Sequence, residues 1–98
     1  MLTKEEARKY LSNTPQEQCF WLKDGGVLKN LEDLAHTFPN MSDETFKHHV
    51  NNGKNDFSNW VKDVIGDKKL AHELLGSKNK ISSLKKLRSR LNSLKNKI

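Results

Sequence analysis

The stretch from Asn55 to Gly76, NDFSNWVKDVIGDKKLAHELLG, constrains the fold of this chain more than any other. Phe57, Trp60, Val61, Val64 and Ile65 recur at steps of three, one, three and one, which places five apolar side chains on one face of a helix. Asn55 or Asp56 offers a capping oxygen ahead of this run, and Gly66 offers the left-handed residue that ends it. Asp67 then caps a second, shorter helix with Leu70, Ala71, Leu74 and Leu75 along one side, stopped by Gly76. Two helices joined at a Gly-Asp corner, with a Phe and a Trp on the first, form the seed of a core. The rest of the chain has to cover it.

The sequence offers several covering elements. Thr3-Lys4-Glu5-Glu6 has the form of a capping box, so a helix is expected from Lys4 to Leu11, broken at Asn13-Thr14-Pro15. Cys19-Phe20-Trp21-Leu22 is β-prone, Lys23-Asp24-Gly25-Gly26 is turn chemistry, and Val27-Leu28 is a second apolar pair. This predicts a two-stranded hairpin at about 19–29 that lays one face on helices. Asn30 caps a helix whose inner face is Leu31, Leu34, Ala35 and Phe38, ended by Pro39. Ser42 caps another, with Phe46 and Val50 inward, and Asn51-Asn52-Gly53 reads as a stop. With 98 residues, 34% of them hydrophobic, one small domain with a lean core is expected. The expected architecture is mostly α: five or six helices, one short β-hairpin and a C-terminal basic helix. Its predicted core includes Phe46, His49, Phe57, Trp60, Val61, Val64, Leu70 and Leu74.

Charge divides the chain in two. Residues 1–76 carry ten basic and twelve acidic side chains, a net of −2. Residues 77–98 carry Lys78, Lys80, Lys85, Lys86, Arg88, Arg90, Lys95 and Lys97 with no acid, a net of +8, so the overall +6 resides in the tail. The expected organisation is a compact helical unit at 1–76 followed by a basic amphipathic tail at 77–98. In that tail Leu84, Leu87, Leu91, Leu94 and Ile98 form an a/d seam of two heptads. The flanking e and g positions are Arg88, Arg90, Lys95 and Lys97, all cationic, which disfavours a homodimeric zipper. The seam therefore docks on the protein's own body, docks on an acidic partner, or folds against a polyanion.

The segment FKHHVNNGKNDFSNWVKDVIGDKKLA, Phe46 to Ala71, resembles a small archaeal domain family of uncharacterised function that also occurs in some bacteria. The pattern is carried by Phe46, His49, Val50, Asn51, Asp56, Phe57, Trp60, Asp63, Val64, Gly66, Asp67, Leu70 and Ala71. FWLKDGGVLKNLEDLA, Phe20 to Ala35, is similar to the lead-in of the same family, so the resemblance covers most of 19–75. It implies an archaeal origin and brings no catalytic assignment.

The residues that could carry chemistry favour plain roles. His36, His48, His49 and His72 make no His-x-x-x-His pair, so neither a metal site nor a cofactor is expected. For His49 the expected role is a core-edge imidazole hydrogen-bonded to a carboxylate such as Asp56. The single cysteine, Cys19, has no disulfide partner and no neighbouring base, so it reads as a small apolar filler. Gly25-Gly26 lacks the Gly-Lys-Ser/Thr of a phosphate loop, and no enzyme is expected. The 56–75 helix pair invites a helix-turn-helix reading through Lys68-Lys69, but Asp63, Asp67 and Glu73 surround that face and repel DNA, so a core hairpin is preferred. Trp60 lies within the apolar stripe. Of Phe20 and Trp21, one must face outward, where it would be a contact point.

No run of about 18 apolar residues spans a membrane, and the N-terminal stretch has no apolar signal core, so a reducing cytoplasm is expected. The charge division leads to the functional expectation: a non-enzymatic binding module that holds DNA or RNA non-specifically through the cations of residues 78–97. The alternative is a protein-interaction adaptor whose tail helix engages an acidic partner.

Overall fold

A computed structural model describes all of residues 1–98. The helices are α1 (Lys4–Leu11), α2 (Leu31–Thr37), α3 (Asp43–His49), α4 (Asp56–Trp60), α5 (Lys68–Leu75) and α6 (Lys80–Lys97), with 3₁₀ turns at Gln16–Gln18 and Phe38–Asn40. Caps occur where short polar residues precede apolar runs. Thr3 and Glu6 form the reciprocal capping box of α1, and Asn30, Ser42, Asn55, Asp67 and Asn79 each accept a first-turn N–H of the helix they precede. The expected hairpin is present as β1 (Phe20–Trp21) antiparallel to β2 (Val27–Leu28), with Phe20 opposite Leu28 and Trp21 opposite Val27. Gly25 at its turn has φ +99°, the left-handed region that glycine enters without strain.

Two features differ from expectation. Val50-Asn51 and Lys54-Asn55 pair as a second antiparallel ladder, β3–β4, where the sequence suggested only a stop. The Gly53 amide bonds the Asn51 side chain, and neither Asn52 nor Gly53 takes positive φ. The helix begun at α4 also does not run regularly to its end. Val61–Ile65 widens into a π turn, with the Gly66 amide on the Val61 carbonyl at 2.7 Å and Gly66 at φ +94°.

The centre is aromatic. Phe57 stacks on Phe20 at 4.9 Å between ring centroids, Phe38 meets Phe57 edge-on at 5.2 Å, and Trp60 meets Phe20 edge-on at 5.8 Å. Phe46, His49, Phe57, Trp60, Val61, Leu70 and Leu74 are buried as expected, whereas Val64 is only half-buried at the edge of the cluster. Polar ties fix the α4–α5 corner. The buried Asn55 donates to the Leu74 carbonyl at 3.0 Å, Ser58 donates to the Ala71 carbonyl at 2.6 Å, and the Trp60 indole donates to the Gln18 carbonyl at 2.9 Å.

α6 packs on α1, α2 and α5 and closes the core. Leu87, Leu91 and Leu94 are buried and Leu84 is half-buried, while Ile98, the last position of the seam, lies beyond the helix and is exposed. Of the three fates open to the seam, docking on the protein's own body is the one observed. Burying three leucines contributes about 1.5–3 kcal/mol each, comparable to the whole net stability of a small domain. Residues 77–98 are thus a wall of the core.

Candidate nucleic-acid interface

Docking sorts the eight tail cations. Lys80 donates to the Met41 carbonyl at 2.6 Å and pairs with Asp43 at 3.0 Å, and this contact holds the Asp43 carboxyl below the usual carboxylate range. Lys95 pairs with Glu32 across the α2–α6 contact. Arg90 is bound most completely. Its Nε and Nη2 donate to the two carboxylate oxygens of Asp67 at 2.7 and 3.0 Å. Hydrogen bonding to Asp67 raises the Arg90 pKa further above its usual value.

The remaining five, Lys78, Lys85, Lys86, Arg88 and Lys97, have no carboxylate within ion-pair distance. Lys78, Lys85, Arg88 and Lys97 are exposed. Lys86 is half-buried, its ammonium resting on the Glu73 carbonyl at 3.4 Å. The structure thus brings Lys85, Lys86 and Arg90 together beside α5, and directs Arg88 and Lys95 to the opposite flank, beside Glu32 and His36 of α2. Lys78 and Lys97 lie near either end of α6.

Between α5 and α6 runs a groove of about 320 Å³ with no hydrophobic residue in its lining, formed by Lys69, Glu73, Lys85, Lys86, Ser89, Arg90 and Ser93. Sequence reading missed Lys69 as part of this cationic surface. It sits on the body, and its place beside α6 depends on a docking angle that no local pattern encodes. The Asp67–Arg90 pair was missed for the same reason. Asp67 was read correctly as the cap of α5, accepting from the Leu70 amide, but its 1% exposure shows that a cation had to come to it. A larger hollow of about 670 Å³ lies beside the pair, between Tyr10 and Glu6 of α1 and the start of α5.

His49 takes the role expected of it. Its Nδ1 lies 2.9 Å from Asp56 Oδ2, and its Nε2 accepts the Lys23 amide at 3.0 Å. Because Nε2 accepts a backbone N–H, the proton sits on Nδ1 and is donated to Asp56. Burial pushes the Asp56 carboxyl up, but hydrogen bonds from His49 and from Lys54 at 3.1 Å outweigh it and hold the group below its ordinary value. Both imidazole nitrogens are therefore committed to structure.

Of the two hairpin aromatics, Phe20 faces inward and Trp21 outward. Trp21 is 67% exposed and, with its cross-strand neighbour Val27 at 41%, forms an open apolar spot above Cys19. Cys19 is half-buried, with its sulfur 3.5 Å from the Thr14 hydroxyl. No helix is long and apolar enough to cross a membrane.

No curated protein and no solved structure matches the chain. The profile of one family, a family of unknown function (DUF5752), matches residues 15–96, from the 3₁₀ turn before the hairpin to the end of α6. The chain belongs to the DUF5752 family.

Proposed function

We propose that this protein is a non-enzymatic module that binds nucleic acid through phosphate contacts from α6 and the adjoining edge of α5. The observation that supports the reading is the set of five α6-region cations without carboxylate partners, Lys78, Lys85, Lys86, Arg88 and Lys97, on a segment that contains no acid. A docked helix holds these charges at fixed positions, so binding does not have to order the segment that carries them. Contacts of this kind position a strand without reading its bases, so DNA and RNA of any sequence are ligands. Three to five phosphate contacts give a log–log salt slope of roughly −3 to −4.5 on duplex DNA.

The experiment is a titration of the full chain and of a Lys85→Glu/Arg88→Glu variant against short duplex DNA and single-stranded RNA across salt. Steeply salt-dependent binding that the double charge reversal abolishes, with the fold intact by circular dichroism, supports the proposal. Absence of binding by the unaltered chain at low salt refutes it. Deleting residues 77–98 is not a usable control, because those residues complete the core.

The exposed Trp21–Val27 pair favours a second reading, a protein-interaction adaptor that presents its hairpin and its cations to an acidic partner. Such a partner would be lost on Trp21→Ala, a substitution that leaves α6 phosphate contacts untouched.

A further inference from the structure

Arg90 is the pivot of the α5–α6 groove. The pairing with Asp67 uses its Nε and Nη2 and leaves Nη1 with no protein acceptor. No buried side-chain nitrogen or oxygen in the chain lacks a hydrogen-bond partner, so Nη1 is not sealed off and reaches open space. The Arg90 side chain, about nine-tenths buried, is held by two short bonds to a carboxylate that is itself fixed as the cap of α5. The groove that Arg90 lines is also lined by three lysines, Lys69, Lys85 and Lys86, and two serines, Ser89 and Ser93.

The charges favour one kind of ligand. Asp67, outside the lining, balances Arg90, and Glu73 is the one carboxylate in the lining, so Lys69, Lys85 and Lys86 leave the groove with an excess of two positive charges. A phosphodiester carries one negative charge, whereas a phosphate monoester approaches two near neutral pH. The size is compatible. A groove of about 320 Å³ has room for one phosphate group. Every lining residue is polar or charged, supplying N–H and O–H donors but no aromatic ring on which a base could stack.

We infer that the α5–α6 groove is a seat for one dianionic phosphate group, bound by Lys69, Lys85, Lys86 and the free edge of Arg90, with Ser89 and Ser93 as neutral donors. The phosphate is either the terminal phosphate of a nucleic-acid strand or nucleotide, or free phosphate. Only the strand-end form rests on the nucleic-acid reading above, which it deepens by adding a preference for ends over internal phosphates.

The test uses the full chain, labelled with ¹⁵N, and four probes: inorganic phosphate, a nucleoside 5′-monophosphate, and one single-stranded oligonucleotide with either a 5′-phosphate or a 5′-hydroxyl. The expected result is a set of amide shifts confined to Lys69, Lys85, Lys86, Ser89, Arg90 and Ser93 with the monophosphate. The phosphorylated oligonucleotide should bind about tenfold tighter than its hydroxyl twin, because the added dianionic group meets the groove. Lys86→Gln should remove that difference, and Glu73→Gln, which deletes the repelling carboxylate, should widen it severalfold. Equal shifts from inorganic phosphate would uphold the seat and assign it to free phosphate. Equal affinity of the two oligonucleotides, with no groove shifts from the monophosphate or from phosphate, would overturn the seat while leaving non-specific binding standing. Groove shifts from the monophosphate without binding of either oligonucleotide would uphold the seat and refute the nucleic-acid function.

Discussion

A single carboxylate, Asp67, does two jobs that meet beside the α5–α6 groove. It caps α5 through the Leu70 amide and receives both donors of one edge of Arg90, all at 1% exposure. Removing the cation while the carboxylate stays buried is expected to be severe. Arg90→Met should destabilise the fold by about 3–5 kcal/mol, read as a fall in the urea midpoint. Asp56 supplies the contrasting case, a half-buried carboxylate whose pKa is lowered because the bonds from His49 and Lys54 outweigh desolvation. A depressed carboxyl contributes stability in full above its unfolded value of about 3.9 and loses it as pH falls through the lower folded value. Urea midpoints of the parent and of Asp56→Asn should therefore differ at pH 6, and the difference should begin to close only below about pH 4, as pH falls toward the lowered folded value. The His49–Asp56 contact was legible in the sequence because the two residues bracket one short loop. The Asp67–Arg90 contact was not, because which of several equivalent tail cations turns inward depends on the rotation of α6 against α5.

Among the elements, α6 carries the chain's charge excess on one side and its last core layer on the other. Its leucine spacing already implied an apolar seam, and the cationic flanks argued against self-pairing, but neither indicated what would cover the seam. The answer lies in surface left over by the other helices: α1, α2 and α5 each present an apolar face that no local partner covers. Leu91→Ala should thus behave as a core truncation, costing about 2–5 kcal/mol by urea denaturation, and a chain ending at residue 76 should show no cooperative unfolding transition. Caps and stripes gave the helices nearly residue by residue, since both signals are local. The β3–β4 ladder escaped notice because two residues per strand are too few to display alternation. Val64 was read as core because the stripe was extended as a regular helix, whereas the π turn shifts the register at Val61–Ile65 and leaves Val64 at the edge.

At the scale of the whole molecule, the first and last helices lie against each other, and α2 packs on both. Three of eight tail cations are consumed by the body's carboxylates in achieving this, which is why the charge tally of the sequence overstates the surface available to a ligand. The same arrangement has a thermodynamic corollary. A ligand seated between α5 and α6 loses its site in a state in which α6 has come away, and α6 cannot come away without opening the core. Occupancy of the α5–α6 groove is then coupled to global unfolding, and a ligand that grips both helices should raise the melting temperature. Saturation at about a hundredfold over Kd adds about 2.7 kcal/mol, which for a domain of this size corresponds to a rise of roughly 10–20 °C. The protein is, in effect, its own calorimetric reporter, and its natural ligand can be sought by heating it with candidates.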